Sequence, residues 1–502
     1  MKEKLLFWID VSISQFCIAK FMQEKLDANF YAIYDLSHAQ KNTFKEQNII
    51  DFKKFWFFWD EIKNNVEKPD LVYLRQIEQK YKLNLWMLIN SERIFHEFNN
   101  YYRFTQKEIL AILENECRFF EKVLEEIKPD FLIIKLTDYH RNHLLAEMCK
   151  NSGVKILMLM PSKLGFRGVI GTDFNKFDNE VYLESLIFDK NVEELLSNSD
   201  VFKQTTKVKT MGDDVSIRKK ISVAFDWIIN VYNDEYKQRY DHLGKTRSKL
   251  IYTKISSLVK SRHRKNFLYR NSILKIPDNE KSVYFPLHVE PERTIDIDAP
   301  FYSNQLNVIS LISKALPIDY NLYVKEHFNM RLRNWRDVSF YKKILTLPNV
   351  KLLNPSLKPN EIIRKSDLVI TIAGTTGLEA ALNNKPVIVF ADVVYSSLSS
   401  VFRVEKIEDL PQLIITALQS QVNREEVVKM IGKLYNSSFE FDMVSLHNDI
   451  VRSFYNGGFN IGNEISMKDM NSFMEEHRDI LEGLASEHIK KINQHKKSTD
   501  VL

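Results

Sequence analysis

Apolar and polar positions alternate in blocks along the chain. Residues 5–9 are a run of five apolar side chains closed by Asp10 and followed by Ser12. An amphipathic stretch to about Glu24 comes next, then a second apolar run at 30–34. Strand, helix and strand in that order predict the opening of an α/β domain. Residues 51–100 are rich in aromatic side chains and are expected to be helical. The clearest helix is predicted over 106–128, where Ile109, Ile112, Leu113, Phe120, Val123, Leu124 and Ile127 recur at three- and four-residue spacing. Pro129 cannot continue it. Residues 131–136 then form an unbroken apolar run, the pattern of a parallel strand covered on both faces. A helix over 142–151 follows, and Gly153 stands where a left-handed residue would end it. With a strand at 154–160 this makes a βαβ unit, so the sheet is expected to be parallel.

Strand signals fade over 190–275 and return near Lys281. Strands are predicted at 283–287, 321–325, 350–353, 368–373 and 386–390, with a helix at 304–315 and others between. The organisation expected is an N-terminal α/β domain over 1–185, a basic helical linker or insert over 186–278, a C-terminal α/β domain over 279–430, and a helical segment over 431–502. Its last part, 490–502, is polar and is expected to fray.

The length of 502 residues fits two large domains or three ordinary ones. With 44% hydrophobic and 27% charged residues, the chain is not a disordered, collagen-like or disulfide-stapled protein. The net charge of +5 alone does not indicate a nucleic-acid binder. It is unevenly spread: 203–275 carries 18 Lys and Arg against 6 Asp and Glu, a local excess of +12. That asymmetry points to a polyanion or an anionic membrane surface, or else to a solvated basic helix face. No ladder of aromatics interleaves with the cations, so no nucleic acid is expected as partner. Cys17, Cys117 and Cys149 are widely spaced and form no Cys-x-x-Cys, which fits a reducing compartment. Five apolar residues near the N-terminus are too few for a secretory signal, and no run reaches the roughly 18–20 apolar residues of a spanning helix. The expected location is cytoplasmic, with peripheral association at the inner face of the cytoplasmic membrane through 203–275.

Three clusters carry chemistry, each directly after a predicted strand. In Asp367-Leu-Val-Ile-Thr-Ile-Ala-Gly-Thr-Thr-Gly-Leu-Glu379, two of only 13 glycines flank two threonines where a helix starts. Free backbone N–H groups there favour an anion. Gly374 and Gly377 would let phosphate approach, Thr375 and Thr376 could donate to it, and Glu379 could accept from ribose. A tight turn with a threonine cap explains the same residues without a ligand. Lys325 and His327, in Tyr323-Val-Lys-Glu-His327, could neutralise a phosphate leaving group, or be a surface lysine and a hydrogen-bonded histidine. His288 and Glu292, in Phe285-Pro-Leu-His-Val-Glu-Pro-Glu292, could hold a base or ribose, or belong to a polar loop shaped by Pro291. In the first domain Asp10 and Asp138 end strands; either could serve as a base towards an acceptor hydroxyl, and Asp138 could instead cap the following helix. No zinc-ligand spacing or Gly-x-Ser-x-Gly elbow occurs.

Taken together, His288…Glu292, Lys325-Glu-His327 and Gly374-Thr-Thr-Gly-Leu-Glu379 resemble the capsular polysaccharide biosynthesis family, which includes the Kdo (3-deoxy-manno-octulosonic acid) transferases. The stretch Cys117-Arg-Phe-Phe-Glu-Lys-Val-Leu-Glu-Glu-Ile-Lys-Pro-Asp130 and the run Lys155-Ile-Leu-Met-Leu-Met-Pro-Ser-Lys-Leu-Gly-Phe-Arg167 are similar to its members. The likeness covers most of 1–180 and 280–395, and leaves out 190–275. It implies a GT-B glycosyltransferase with two Rossmann-like domains facing a cleft, the nucleotide sugar on the C-terminal domain and a glycan or glycolipid acceptor on the N-terminal one. It implies no cofactor and no metal, with His327, Lys325, Thr375 and Thr376 receiving the phosphate, Glu292 and Glu379 holding the nucleotide, and Asp10 or Asp138 acting on the acceptor. Members usually carry His-Pro where this chain has His327-Phe328, and often Gln-x-x-x-Glu where it has His288-x-x-x-Glu292. CMP-Kdo is the leading donor. A sugar-nucleotide epimerase or hydrolase on the same scaffold, and a non-catalytic scaffold protein of capsule assembly, are the alternatives.

Overall fold

The structure, a computed structural model, describes residues 2–62, 68–96, 99–173, 175–178, 239–455 and 464–499. The expected basic linker therefore lies outside the described residues up to 238. The described residues fall into two compact units: 2–173 with 239–247 and 438–499, and 175–178 with 248–437.

The first unit is built on a seven-stranded sheet of β1 (Lys4–Asp10), β2 (Asn29–Asp35), β3 (Phe52–Phe57), β4 (Phe131–Lys135), β5 (Lys155–Pro161), β6 (Arg167–Gly171) and β13 (Phe439–Glu440). Its spatial order is β13-β6-β5-β4-β1-β2-β3. The five strands from β5 to β3 are parallel, and β6 and β13 add an antiparallel edge. β1 shows why this segment must be a central strand. Leu5, Phe7 and Ile9 enter one core cluster while Leu6 and Trp8 enter the other, so alternate side chains feed both faces. One face is covered by helices Leu71–Tyr81, Gln106–Ile127 and His140–Asn151, the other by Ser14–Lys25 and the C-terminal helices. Gly153 is left-handed (φ +83°), as the helix before it requires.

Three expectations change here. Within 51–100, residues Phe52–Phe57 form an edge strand, because Phe and Trp suit a half-covered pleated surface as well as a helix face. Residues from 438 onward pack on the first unit, and β13 extends its sheet. The tail expected to fray from 490 is helical to Thr499 and Ile492 is fully buried, since this helix lies along Ser14–Lys25.

The second unit carries six strands, β7 (Lys281–Pro286), β8 (Tyr320–Lys325), β9 (Val350–Leu353), β10 (Leu368–Thr371), β11 (Val387–Val389) and β12 (Val401–Arg403). They are all parallel, in the order β12-β11-β10-β7-β8-β9. Both parallel sheets thus follow the doubly wound Rossmann order, with a switch point between β1 and β4 in the first and between β7 and β10 in the second. All three cysteines are buried free thiols. Among the described residues no helix is long and apolar enough to cross a membrane.

Candidate functional site

In the second unit the predicted polar clusters share the C-terminal edge of one sheet. At the switch point, His288 Nε2 lies 3.2 Å from Thr371 Oγ1, and the Gly374 N–H donates to the same hydroxyl oxygen at 3.2 Å. A Cβ on Gly374 would meet Thr371 Oγ1 at 2.8 Å and the His288 ring at 3.1 Å, so only glycine lets these strand ends close up. The backbone N–H groups of Thr375 and Thr376 have no partner among the described residues. The Glu379 N–H donates to the Thr375 carbonyl at 3.1 Å, and the Glu379 carboxyl lies near Tyr284 and Tyr395. Burial pushes the Glu379 pKa up to about 7, and the Thr375 side chain only partly opposes this.

Two strands away, β8 ends in Lys325, which is 5% exposed. Its ammonium has no hydrogen-bond or ion-pair partner among the described residues. Burial pulls its pKa down to about 8, against the attraction of Glu326. His327 is exposed, and its Nδ1 accepts from the Asn329 N–H at 3.1 Å. Desolvation and the positive charges of Lys325 and Arg336 lower its pKa, so the ring is neutral at pH 7. With Nδ1 accepting, the proton sits on Nε2, which is a donor.

A buried charge chain fixes the loops that carry these groups. Arg336 Nε donates to Glu326 Oε2 at 2.9 Å; the same guanidinium pairs with Glu290 and donates to the His288 carbonyl. The Tyr341 hydroxyl donates to Glu326 at 2.7 Å, and Glu326 accepts from the His327 N–H at 2.8 Å. Gln305 closes the other side, accepting from the His288 N–H at 2.7 Å and donating to Glu290 at 2.5 Å. Glu326 and Glu290 are thus committed to Arg336, which leaves Lys325 as the unpaired cation.

Residues 184–398 match the family described as capsule polysaccharide biosynthesis protein. That stretch spans strands β7 to β11 of the second unit. The match runs through 190–275, which the resemblance drawn from motifs left out, and does not extend into 1–180, which it included. No curated protein sequence matches the chain. Solved structures with a likeness include the β-Kdo 2,4 transferase of Thermosulfurimonas dismutans KpsC, at 10% identity over 61% of this chain and 79% of that one, with a TM-score of 0.31. The UDP-GlcNAc 2-epimerase of Methanocaldococcus jannaschii matches at 14% identity over 84% and 94%, with a TM-score of 0.24. The UDP-GlcNAc 2-epimerase of Neisseria meningitidis matches at 13% over 86% and 98%, with a TM-score of 0.23. At these scores the likeness is loose.

Within the second unit, the structure joins His288 and Gly374 through Thr371, links the Glu379 N–H to the Thr375 carbonyl, and sets Lys325 two residues before His327. Gly377 does not open onto a ligand: a Cβ there would lie 2.4 Å from the Tyr395 hydroxyl, so it is a packing glycine beneath that ring. Glu292 precedes the short helix Arg293–Asp296, while its neighbour Glu290 joins the network around His288. Arg336, Gln305 and Tyr341 were not foreseeable as a group. Arg336 lies in the basic run Arg331-Leu-Arg-Asn-Trp-Arg336, which reads as a solvated face until the fold buries its last member.

In the first unit Asp10 ends β1 and is ion-paired with Lys135 of β4 at 2.8 Å. Its carboxylate also accepts from the Ser12 N–H at 2.8 Å and hydroxyl at 2.5 Å. Burial works to raise its pKa, but Lys135 and Ser12 outweigh it and hold the pKa below the usual value. Asp138 is half-buried and acts on Lys135 through its charge. It does not cap the next helix, whose first turn is closed by Tyr139 and Asn142. His140 is fully buried between Glu92 and Glu116, 2.7 Å from each, and the two carboxylates overcome burial to raise its pKa to about 9. Among the described residues no group of three or more His, Cys, Asp or Glu side chains is placed to hold a metal ion.

Proposed function

We propose that the protein is a glycosyltransferase of capsular polysaccharide assembly whose second unit holds a nucleotide sugar. The capsule-family match over 184–398 supports the biological setting. The observation that carries the enzymatic reading is Lys325. A buried ammonium without a counter-ion is costly unless a ligand supplies the negative charge, and this one lies at the strand edge where open α/β sheets bind ligands.

In this reading the donor phosphate lies against Lys325, the His327 Nε2–H and the free N–H groups of Thr375 and Thr376. As the bond from the anomeric carbon to the phosphate oxygen breaks, these donors take up the charge gathering on the nucleotide. The acceptor hydroxyl forms the new glycosidic bond and gives its proton to a carboxylate. Asp138 is the better candidate base, because Asp10 is already held by Lys135 and Ser12 and is a weak base at neutral pH. Charge neutralisation by these side chains needs no divalent ion. Glu379, near half-protonation at pH 7, can accept from or donate to a ribose hydroxyl.

The test is incubation with a panel of nucleotide sugars, including CMP-Kdo and UDP-GlcNAc, with and without capsule-type acceptors and with a chelator. Acceptor-dependent nucleotide release that survives chelation supports a metal-independent transferase. Turnover without acceptor would favour an epimerase or hydrolase. No nucleotide binding, together with unchanged glycan output from His327→Ala, would leave the non-catalytic scaffold.

A further inference from the structure

The positive charge of the chain is concentrated further than its sequence average shows. Of the 18 basic residues in 203–275, 11 lie in 239–275, facing a single acidic residue, Asp241. Most of them sit on one helix, Arg247–Arg270, which contains no Asp or Glu. One edge of this helix is anchored. Leu250 and Leu268 are buried, and Arg264 pairs with Asp337 and donates to the Asn334 and Trp335 carbonyls; at the helix end Tyr269, at the angle of Ile251, packs edge-on against Trp335.

The opposite side carries a second apolar stripe that is exposed among the described residues. Ile251, Tyr252, Ile255, Leu258 and Val259 follow three- and four-residue spacing and are 44%, 73%, 59%, 60% and 67% exposed. At 100° per residue these five side chains span one arc of the helix, with Lys254 and Lys265 on one flank and Lys249 and Lys260 on the other. All four lysines are exposed. A solvated basic helix has no use for five exposed apolar side chains in a row. A phosphate-backbone binder needs the cations but gains nothing from the aliphatics. An apolar stripe bordered by lysines is what an interfacial helix presents to a lipid surface, the stripe entering the acyl boundary and the ammonium groups meeting the headgroups.

We infer that the outer face of helix Arg247–Arg270 docks on an anionic lipid bilayer, with Ile251, Tyr252, Ile255, Leu258 and Val259 inserted and Lys249, Lys254, Lys260 and Lys265 on the headgroups. This does not rest on the sugar chemistry proposed above and holds for a scaffold protein equally. The basic charge and the apolar stripe act together: the cations draw the helix to the surface and the stripe retains it.

The test is co-sedimentation of the full chain with vesicles of phosphatidylcholine alone and of equimolar phosphatidylcholine and phosphatidylglycerol. Binding is expected to the second only, and to weaken steeply from about 0.1 M to about 1 M salt as the screening length falls from about 10 Å to about 3 Å. Replacing the four lysines by Gln is expected to lower partitioning by about five-fold per charge. Ile255→Ser with Leu258→Ser and Val259→Ser should also lower it at least tenfold at unchanged charge. These side chains are exposed, so unaltered thermal unfolding serves as the check on folding. Equal binding to both vesicle types would overturn the proposal. So would serine variants that bind lipid like the parent, or tight salt-sensitive binding of duplex DNA with no preference for anionic vesicles, which would make the face a nucleic-acid surface.

Discussion

The two sheets have the same parallel order, and each carries a lysine at a C-terminal strand end, Lys135 on a strand of its switch point and Lys325 on β8, next to one. In the first unit Lys135 is paired with Asp10 at 2.8 Å, and Ser12 completes the carboxylate's hydrogen bonds. In the second unit Lys325 is buried with no hydrogen-bond or ion-pair partner among the described residues, because the nearby carboxylates Glu326 and Glu290 are held by Arg336. One switch point satisfies its charges internally; beside the other, a buried cation has no such pairing among the described residues. Topology fixes where a ligand site can be, and the pairing of charges decides whether the site is already filled by the protein itself.

The contrast can be broken by removing each lysine in turn. Lys135→Met leaves Asp10 buried without its counter-ion and should cost about 2 to 3 kcal/mol in chemical denaturation. Lys325→Met removes a charge that nothing in the fold satisfies, so stability should hold or rise. Nucleotide affinity should fall roughly 10- to 100-fold in titration calorimetry, the worth of a charge-assisted hydrogen bond. If Lys325→Met unfolds the protein and Lys135→Met does not, the comparison is inverted and the account fails.

Acid and base sharpen the same comparison in opposite directions. The Asp10 pKa is depressed in the fold, so its contribution is present above the unfolded value of about 3.9 and is lost as pH falls through the folded one. Lys325 is depressed to about 8 from an unfolded value of about 10.4, so its penalty is full below pH 8 and is relieved as pH rises from there. Unfolding followed against pH should therefore lose stability on the acid side through the first site and regain some on the alkaline side through the second. The alkaline gain should vanish in Lys325→Met.

A smaller effect is expected at His327. Its ring is exposed, so His327→Ala should change stability by no more than about 0.5 kcal/mol. Turnover should nevertheless fall roughly tenfold or more if Nε2–H serves the leaving group. A loss of stability without a loss of turnover would make His327 a structural residue.

Much of the fold was legible because it depends on local patterns. The continuous apolar run Leu5–Ile9 fits a strand covered on both faces, and the spacing through Gln106–Ile127 fits a helix with one buried stripe, as both prove to be. The strands that escaped notice lie at sheet edges or next to one: β3, β12 and β13 are edges and β6 pairs with β13, and all are short or half-covered with no clean period in their side chains. The site was legible only in part, for a related reason. Lys325, His327 and Gly374-Thr-Thr-Gly377 announce themselves by following strands. The ion pairs that decide which of them is free involve partners distant in sequence, Arg336 with Glu290 and Lys135 with Asp10, and no spacing rule reaches across such gaps. Gly377 shows the same limit, since the ring that requires it, Tyr395, enters only through the fold.

The central claim is that Lys325 waits for the phosphate of a nucleotide. Calorimetric titration of the full chain with CMP and with UDP, at pH 7 and again near pH 9, tests it directly in parent and Lys325→Met proteins. Binding at pH 7 that weakens as Lys325 loses its proton, and that in the variant is roughly 10- to 100-fold weaker at pH 7 and no longer depends on this pH change, is the predicted result. Equal binding by parent and variant, or none by the parent, would contradict it.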